Sequence, residues 1–366
     1  METANERGIR ALRPRTVLAR GAVLLGLLAV VVVAVDLLVP GAGRRLGSAD
    51  PAWLVVAVAL EAGALVSYVA FFHCVFARPP NRLRLRRSAE IALGELAGFA
   101  LVPTGAGGPA VRLWALRGGG MSWRTIGVRS VAYGVLFNIP YVGAALVFSL
   151  GLAVGVVPGS APTIVALAPL GVVAGSVALM ALIAATARSR WMAGTASWKR
   201  NARAILAVVP VGIGELPWFA RRPARVAGAF GYWGFDCAVL WAGFQAVGGS
   251  PALGVIVLAY MLGQLGNVLP LPGGIGGVEP LMLGIFVASG VDSGVAAAAI
   301  VCYRAIALGL QSVTGLVSVA SLVPAVRRER REAIGRADLG GLGSAPAPKA
   351  VTEIRPTAAD PWPSTR

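Results

Sequence analysis

A run of glycine and proline interrupts the apolar sequence at Gly263–Glu279, which reads GQLGNVLPLPGGIGGVE. Because Pro270 and Pro272 lack a backbone donor and clash with the preceding turn, one straight helix cannot continue through this run. The chain is 57% hydrophobic and 13% charged, with a mean hydropathy of +0.75, which indicates an integral membrane protein. Broken backbone survives at membrane depth only where it is buried in protein or lines a watery cavity. The run therefore predicts a functional site.

An earlier stretch repeats this pattern. Gly94–Ala110, GELAGFALVPTGAGGPA, aligns with the later run without a gap at an offset of 169 residues (263 − 94), which sets Glu95 against Gln264. Two interrupted segments at corresponding positions of two halves point to a binding site between inverted repeats. Chance similarity in a chain with 48 glycines is the alternative.

The basic residues stand beside the apolar spans. They give a formal net charge of +17, which the positive-inside rule explains, so no nucleic-acid partner is predicted. Cys74, Cys237 and Cys302 are widely spaced and His73 is the only histidine, which predicts no disulfide framework, metal site, His-based triad or cofactor. Arginine heavily outnumbers lysine, and Ala, Val and Gly dominate, which is typical of a bacterial protein from a high-GC genome. We expect it in the inner membrane.

These patterns predict an all-α polytopic membrane protein with about six full spans and two Gly/Pro-broken re-entrant hairpins in an inverted repeat. Basic flanks predict that the hairpin Ile91–Leu116 enters from the cytoplasm, whereas the hairpin Leu253–Val287 lacks basic residues in its return loop and enters from outside. Both termini are then cytoplasmic. Three full crossings in place of each hairpin-plus-span unit would also preserve the parity. The predicted crossings are Gly21–Pro40, Ala52–Phe76, Ile126–Val154, Thr163–Ala187, Val226–Val247 and Ala296–Val323.

The chain divides into three parts. Residues 1–19 form a basic cytoplasmic N-terminus, residues 20–325 form the transmembrane domain, and residues 326–366 form a basic and then disordered cytoplasmic tail. Inside the transmembrane domain, the repeat cores are residues 91–155 and 253–323. The segment 188–225 has arginines at both ends and is predicted to be interfacial and cytoplasmic.

Motifs in both halves are similar to those of a known family. PGGIGGVE at Pro272–Glu279 and CYR at Cys302–Arg304 resemble the second-half signature of the lysylphosphatidylglycerol synthase transmembrane region, a flippase-like family. PTGAGGPAVRLWAL at Pro103–Leu116 resembles the first-half turn, although Pro109-Ala110 replaces an acidic residue common there. The resemblance implies a domain that moves anionic or aminoacylated lipids between leaflets. About 40 residues follow the last predicted span, so we expect a stand-alone member without the aminoacyl-transferase domain.

Arg304 lies inside an apolar span, where a charge costs about 2.5–3.5 kcal/mol unless it is paired or hydrated. Glu279 is its expected partner, and the pair either binds a headgroup or only pins the broken helix. Arg112 would also suit a phosphate headgroup, because guanidinium presents a planar fork to phosphate oxygens. Glu95 is either a proton-coupling carboxylate or the partner of Arg112 or Arg129.

The glycine turns complete the predicted headgroup site. Their backbone N–H groups could favour anions at half-helix N-termini, or the glycines could exist only for close helix packing. Asn138 and Asn267 are expected to line a cavity, and the mid-span carboxylates Glu61 and Asp236 have no partner that the sequence identifies. The candidate headgroup residues are Arg112, Arg304, Glu279, Glu95, Asn267, Gly273, Gly274, Gly276, Gly277, Gly105, Gly107 and Gly108.

The leading functional hypothesis is a lipid flippase, or a transporter of a lipid-linked intermediate, that works by alternating access. Membrane lipids are its expected partners, with a cell-envelope synthase or glycosyltransferase in trans as a further partner. The alternatives are a non-catalytic subunit or scaffold of cell-envelope synthesis and a membrane-embedded enzyme. The enzyme is the weaker alternative, because no DxD-like metal pair or nucleophile motif is found.

Overall fold

The structure is a computed structural model that describes Gly26, Val39 and residues 41–102, 106–188, 197–269 and 271–341. Every regular element in these ranges is helical, as the all-α prediction requires. Most of the first predicted crossing, Gly21–Pro40, lies outside the described residues, and so does Gly105.

The first half contains two long helices that flank a hairpin of two short ones. Asp50 caps the first long helix by accepting a hydrogen bond from the Ala52 N–H at 2.8 Å, and Ser122 caps the second by accepting from the Thr125 N–H at 3.1 Å. The first arm of the hairpin ends at Leu101 and the second begins at Gly107. The elements are α1 (Ala42–Gly47), α2 (Pro51–Phe76), α3 (Leu85–Leu101), α4 (Gly107–Gly118) and α5 (Trp123–Ala153).

The second half repeats this order after a linking region. Two short 3₁₀ turns, Gln264–Val268 and Pro272–Gly274, occupy the predicted break between the arms of the second hairpin. The linking helices are α6 (Thr163–Arg188), α7 (Ser197–Gly214) and α8 (Leu216–Ala220), followed by α9 (Ala227–Ala246), α10 (Leu253–Gly263), α11 (Val278–Ala288) and α12 (Ser293–Gly341).

Three helical stretches among the described residues are long and apolar enough to cross a membrane: Pro51–Phe76, Trp123–Ala153 and Ser293–Glu329. They correspond to three of the predicted crossings. Two further predicted crossings form the helices α6 and α9, which are not among these three stretches. The chain is therefore a helical membrane protein.

Helices α2 and α9 pack against each other along much of their length and run antiparallel. Gly63 faces the Phe235 ring, and Gly231 and Gly228 meet Ser67 and Phe71 in turn. Residue numbers thus rise along one helix as they fall along the other. The small residues bring the two backbones close together, which is how helices associate in lipid.

Each hairpin is closed by a direct approach of two glycines. A Cβ atom on Gly98 would lie 2.6 Å from the Gly107 carbonyl oxygen, and a Cβ atom on Gly277 would lie 2.7 Å from the Gly266 carbonyl oxygen. Any side chain at these positions would therefore separate the arms. The two hairpins also contact each other, because α3 packs on the Pro272–Gly274 turn.

The hairpins open toward opposite ends of α12. Both flanks of the first hairpin lie near the distal part of α12, where Arg87 pairs with Glu329 at 2.9 Å and Gly118 packs on Val326. The second hairpin opens beside the start of α12, where Gly249 packs on Val295. Since a helix rises about 1.5 Å per residue, the stretch from residue 295 to residue 326 spans roughly 46 Å.

The last helix is longer than predicted. The sequence places its end at Val323 and a disordered tail from residue 337, whereas α12 continues to Gly341. The segment that follows Val326 reads RRERRE, so the helix continues as a polar, charged stretch. The helix thus extends five residues into the segment 337–366, and residues 342–366 lie outside the described ranges.

Candidate functional site

A cavity of about 470 Å³ lies where the two hairpins meet. Leu96, Phe99 and Ala100 line it from the first hairpin, and the broken segment of the second hairpin lines it from the other side. Its wall combines aromatic rings with a few polar groups, as small-molecule sites do. The polar and charged lining residues are Tyr68, Asn138, Tyr141, Tyr232, Asp236, Gln264, Asn267, Tyr303, Arg304 and Gln311.

Arg304 is the cation of this wall and is only 4% exposed. Its Nε donates to Glu279 Oε1 at 2.7 Å, and its Nη2 donates to the Gly273 carbonyl oxygen at 2.5 Å. Neither of the hydrogen bonds that Arg304 makes within the described residues uses Nη1. The bond to Glu279 confirms the predicted pair, and the Nη1 edge of the guanidinium has no hydrogen-bond partner in the described part of the chain.

Glu279 also organises the turn that precedes α11. Its second oxygen, Oε2, accepts from the Gly276 N–H at 2.7 Å. Gly273, Gly274 and Gly276 have φ angles of 59°, 66° and 85°, which side chains rarely adopt. The turn therefore needs glycine for its backbone conformation.

The glycine N–H groups of this turn are already used inside it. The Gly274 N–H donates to the Leu271 carbonyl and the Gly277 N–H to the Gly274 carbonyl, while Glu279 holds the Gly276 N–H. In this conformation, these three N–H groups are not free for an anion. The turn and packing role is thus the one that the geometry supports.

Arg112 and Glu95 form a second buried pair outside the cavity wall. Arg112 Nη1 donates to Glu95 Oε1 at 2.5 Å, and the guanidinium carbon lies 4.9 Å from the centre of the Tyr133 ring. Arg129 instead donates to the carbonyl oxygens of Phe76, Arg78 and Pro79, at the end of α2. Of the two partners considered for Glu95, Arg112 is the one found.

The comparison with protein families adds an independent finding. Residues 12–315 match the family described as Lysylphosphatidylglycerol synthase TM region. The chain belongs to this family. No curated protein matches the chain.

Within this family member, the predicted site residues separate into two groups. Arg304, Asn267, Gly273 and Gly274 line the cavity, as does the expected Asn138. The other predicted residues do not line the cavity. Glu279 binds Arg304, and Arg112 and Glu95 form the second buried pair. Gly276 and Gly277 belong to the second turn, and Gly107 and Gly108 begin α4.

Sequence reasoning missed the hydrogen-bonded network behind Arg304. Tyr260 and Tyr303 both donate to Asp236 Oδ2, the latter at 3.0 Å, and the Gln264 Nε2 donates to the Tyr303 hydroxyl at 3.0 Å. Tyr303 directly precedes Arg304 in the CYR motif, which is the signal that could have identified it. The network ties α9, α10 and α12 together around the cavity.

Proposed function

We propose that this protein binds the headgroup of an anionic or aminoacylated lipid in the cavity and moves the lipid between the leaflets of a bacterial inner membrane. The observation that carries the proposal is Arg304: a buried guanidinium on the cavity wall, at the junction of two broken hairpins, with one edge unused. A guanidinium edge suits phosphate oxygens, which it binds through parallel hydrogen bonds.

The apolar part of the wall suits the rest of the lipid. Leu96, Phe99 and Ala100 come from one hairpin, and Val268 and Leu271 come from the other. Val268 is 81% exposed and Leu271 is 37% exposed, so the apolar lining continues to the surface of the helix bundle. An acyl chain could thus remain in lipid while the headgroup occupies the cavity.

An inverted repeat would supply the two access states. Helices α2 and α9 are related by the offset of 169 residues, and they pack antiparallel, as they must if a two-fold axis in the membrane plane relates the halves. The contact of α3 with α12 has its counterpart in the contact of α10 with α5. This swapped arrangement supports alternating access by rocking of one hairpin against the other.

The topology we propose has the first hairpin re-entering from the cytoplasm and the second from outside, with six full crossings and both termini cytoplasmic. The opposite openings of the hairpins along α12 support it. The loop that carries Arg78 and the segment that carries Glu215 are joined at 2.9 Å, in accord with a common cytoplasmic side.

Lipid movement in proteoliposomes tests the function. Fluorescent phosphatidylglycerol, its lysyl ester and a polyprenyl phosphate would each be followed across the bilayer with wild type, Arg304→Ala and the matched control Arg86→Ala, which removes an exposed arginine. We expect wild type and the control to accelerate movement of at least one lipid, and Arg304→Ala to match empty liposomes. Wild type that matches empty liposomes for every lipid would refute the proposal.

A docking role in trans is a second proposal, and it rests on the ordered α7–α8 region. Trp218 lies between two guanidinium groups, with Arg78 at 3.9 Å and Arg225 at 3.4 Å from its ring centre, which fixes a surface carrying the exposed Arg221 and Arg222. A synthase or glycosyltransferase of the cell envelope could dock there, while the chain itself would not act as an enzyme. Charge reversal of Arg221 and Arg222 should release a co-purifying partner without changing lipid movement.

A further inference from the structure

Glu61 and Asp236 are two carboxylates buried side by side in the middle of the bundle. Glu61 is fully buried and Asp236 is 3% exposed. The antiparallel register of α2 and α9, in which Gly63 meets Phe235, sets Glu61 opposite Asp236. Their side chains are within hydrogen-bonding reach of each other. The headgroup proposal uses neither group.

Within the described residues, one oxygen of each carboxylate has a donor and the other has none. Gln311 Nε2 donates to Glu61 Oε1 at 3.0 Å, and Tyr260 and Tyr303 donate to Asp236 Oδ2. Glu61 Oε2 and Asp236 Oδ1 are buried and have no hydrogen-bond partner in the part of the chain that the structure describes. A buried acceptor without a donor is costly, and two adjacent buried carboxylates cannot both remain ionised.

We propose that Glu61 and Asp236 form a proton-binding site, in which one proton on Glu61 Oε2 is donated to Asp236 Oδ1. A single proton would satisfy both unpaired oxygens at once and would remove one of the two like charges. Asp236 is the more readily ionised of the two, because two tyrosine hydroxyls stabilise its negative charge, whereas Glu61 has one neutral amide donor. The proton therefore resides on Glu61.

The groups around the two carboxylates do not remove the need for this proton. Arg304 is the cation that acts on Asp236, but its Nε and Nη2 are already engaged by Glu279 and Gly273. The other polar neighbours are neutral donors or weak acids. They are Tyr232 and Cys237 on α9, Tyr260 on α10, and Tyr303 and Gln311 on α12.

The site has an exit to the cavity. Asp236 and Gln311 both line the cavity, whereas Glu61 lies behind them. Water in the cavity could take up the proton from the pair through Asp236 while Arg304, free of a bound anion, offsets the second negative charge. If the headgroup proposal holds, on which this step rests, proton release and headgroup binding at Arg304 would be coupled, and a pH gradient would bias lipid movement.

Infrared spectroscopy of the purified protein in lipid tests the proton directly. We expect the C=O stretching band of a protonated carboxyl group in wild type at neutral pH, with loss of that band in Glu61→Gln and a shifted band in Asp236→Asn. In Glu61→Gln the amide would supply a donor to Asp236, which its two tyrosine donors keep ionised, whereas in Asp236→Asn burial would keep Glu61 protonated. Glu90→Gln, at a carboxylate paired with Arg86 and Arg87, is the control that should keep the band. A wild-type spectrum without the band, or a band unchanged in both variants, overturns the proposal.

This readout does not depend on transport. Absence of lipid movement in wild type would refute the headgroup proposal and leave the band unaffected. Isosteric amides preserve volume, and a native-like thermal unfolding midpoint for either variant would show that loss of the band is not caused by misfolding. If both variants misfold, Glu61→Asp, which keeps the carboxyl group, should keep a shifted band in wild-type-like protein, and its loss there would contradict the pairing.

Discussion

Glu279 holds Arg304 with one carboxylate oxygen and the Gly276 N–H with the other, each at 2.7 Å. This single side chain therefore joins the long helix α12 to the turn of the second hairpin. Any movement of that hairpin must either carry Arg304 with it or exchange the partner of Arg304. The Arg304–Glu279 pair therefore links the position of α12 to that of the second hairpin, in addition to its electrostatic role.

Removing one member of this pair should destabilise the protein more than removing both. Glu279→Gln would leave a buried guanidinium without its counter-ion, at a cost of roughly 3–5 kcal/mol, while the double variant Glu279→Gln with Arg304→Met avoids the unpaired charge. Unfolding midpoints in detergent measure this order. Glu329→Gln, at a half-exposed carboxylate, is the control and should change little. Equal midpoints for Glu279→Gln and wild type would contradict the link.

The Arg112–Glu95 pair should be structural. Arg112→Met alone should lower the unfolding midpoint, because Glu95 would be buried and unpaired, and the double variant with Glu95→Gln should recover most of it. Since neither residue lines the cavity, the recovered double variant should still move lipid in liposomes. A folded double variant with no lipid movement would indicate instead that Arg112 and Glu95 belong to the headgroup site.

The contacts that close the hairpins should tolerate no methyl group. A Cβ atom at Gly98 would lie 2.6 Å from the Gly107 carbonyl oxygen, so Gly98→Ala should cost roughly 1–3 kcal/mol through displaced backbone. Gly234→Ala is the matched control, because none of the described residues comes within 4 Å of a Cβ atom there. Thermal unfolding of both variants checks the prediction, which an equally stable Gly98→Ala would refute.

Part of this architecture could be predicted from the sequence. Proline and clustered glycine forbid a continuous helix, so the break at Pro272–Gly274 was readable, and the cost of a charge in lipid made a partner for Arg304 necessary. The hydrogen-bond partners of Asp236 could not be predicted in this way. Its tyrosine donors come from α10 and α12, and no local pattern reports which distant helices meet. The extension of α12 to Gly341 was missed because the helix continues as a polar, charged segment, where hydropathy gives no signal.

The opposite openings of the two hairpins give the sharpest topological prediction. In a Cys74→Ala background, where the remaining native cysteines Cys237 and Cys302 are buried, single exposed cysteines would be placed on both flanks of each hairpin and treated with a membrane-impermeant maleimide. The positions, all exposed, are Arg82→Cys and Arg124→Cys for the first hairpin and Ser250→Cys and Ser293→Cys for the second.

We expect intact cells to be labelled at positions 250 and 293 and protected at positions 82 and 124 until the membrane is opened. Both flanks of a re-entrant hairpin face one side, as do the flanks of two consecutive crossings, whereas a single full crossing places its flanks on opposite sides. The pairwise comparison within each hairpin therefore separates a hairpin from a single crossing, and the opened cells are the control for reactivity. Labelling of only one flank of a hairpin would show that this segment is a full crossing. Identical labelling of all four positions would contradict the inverted relationship of the two hairpins, on which alternating access depends.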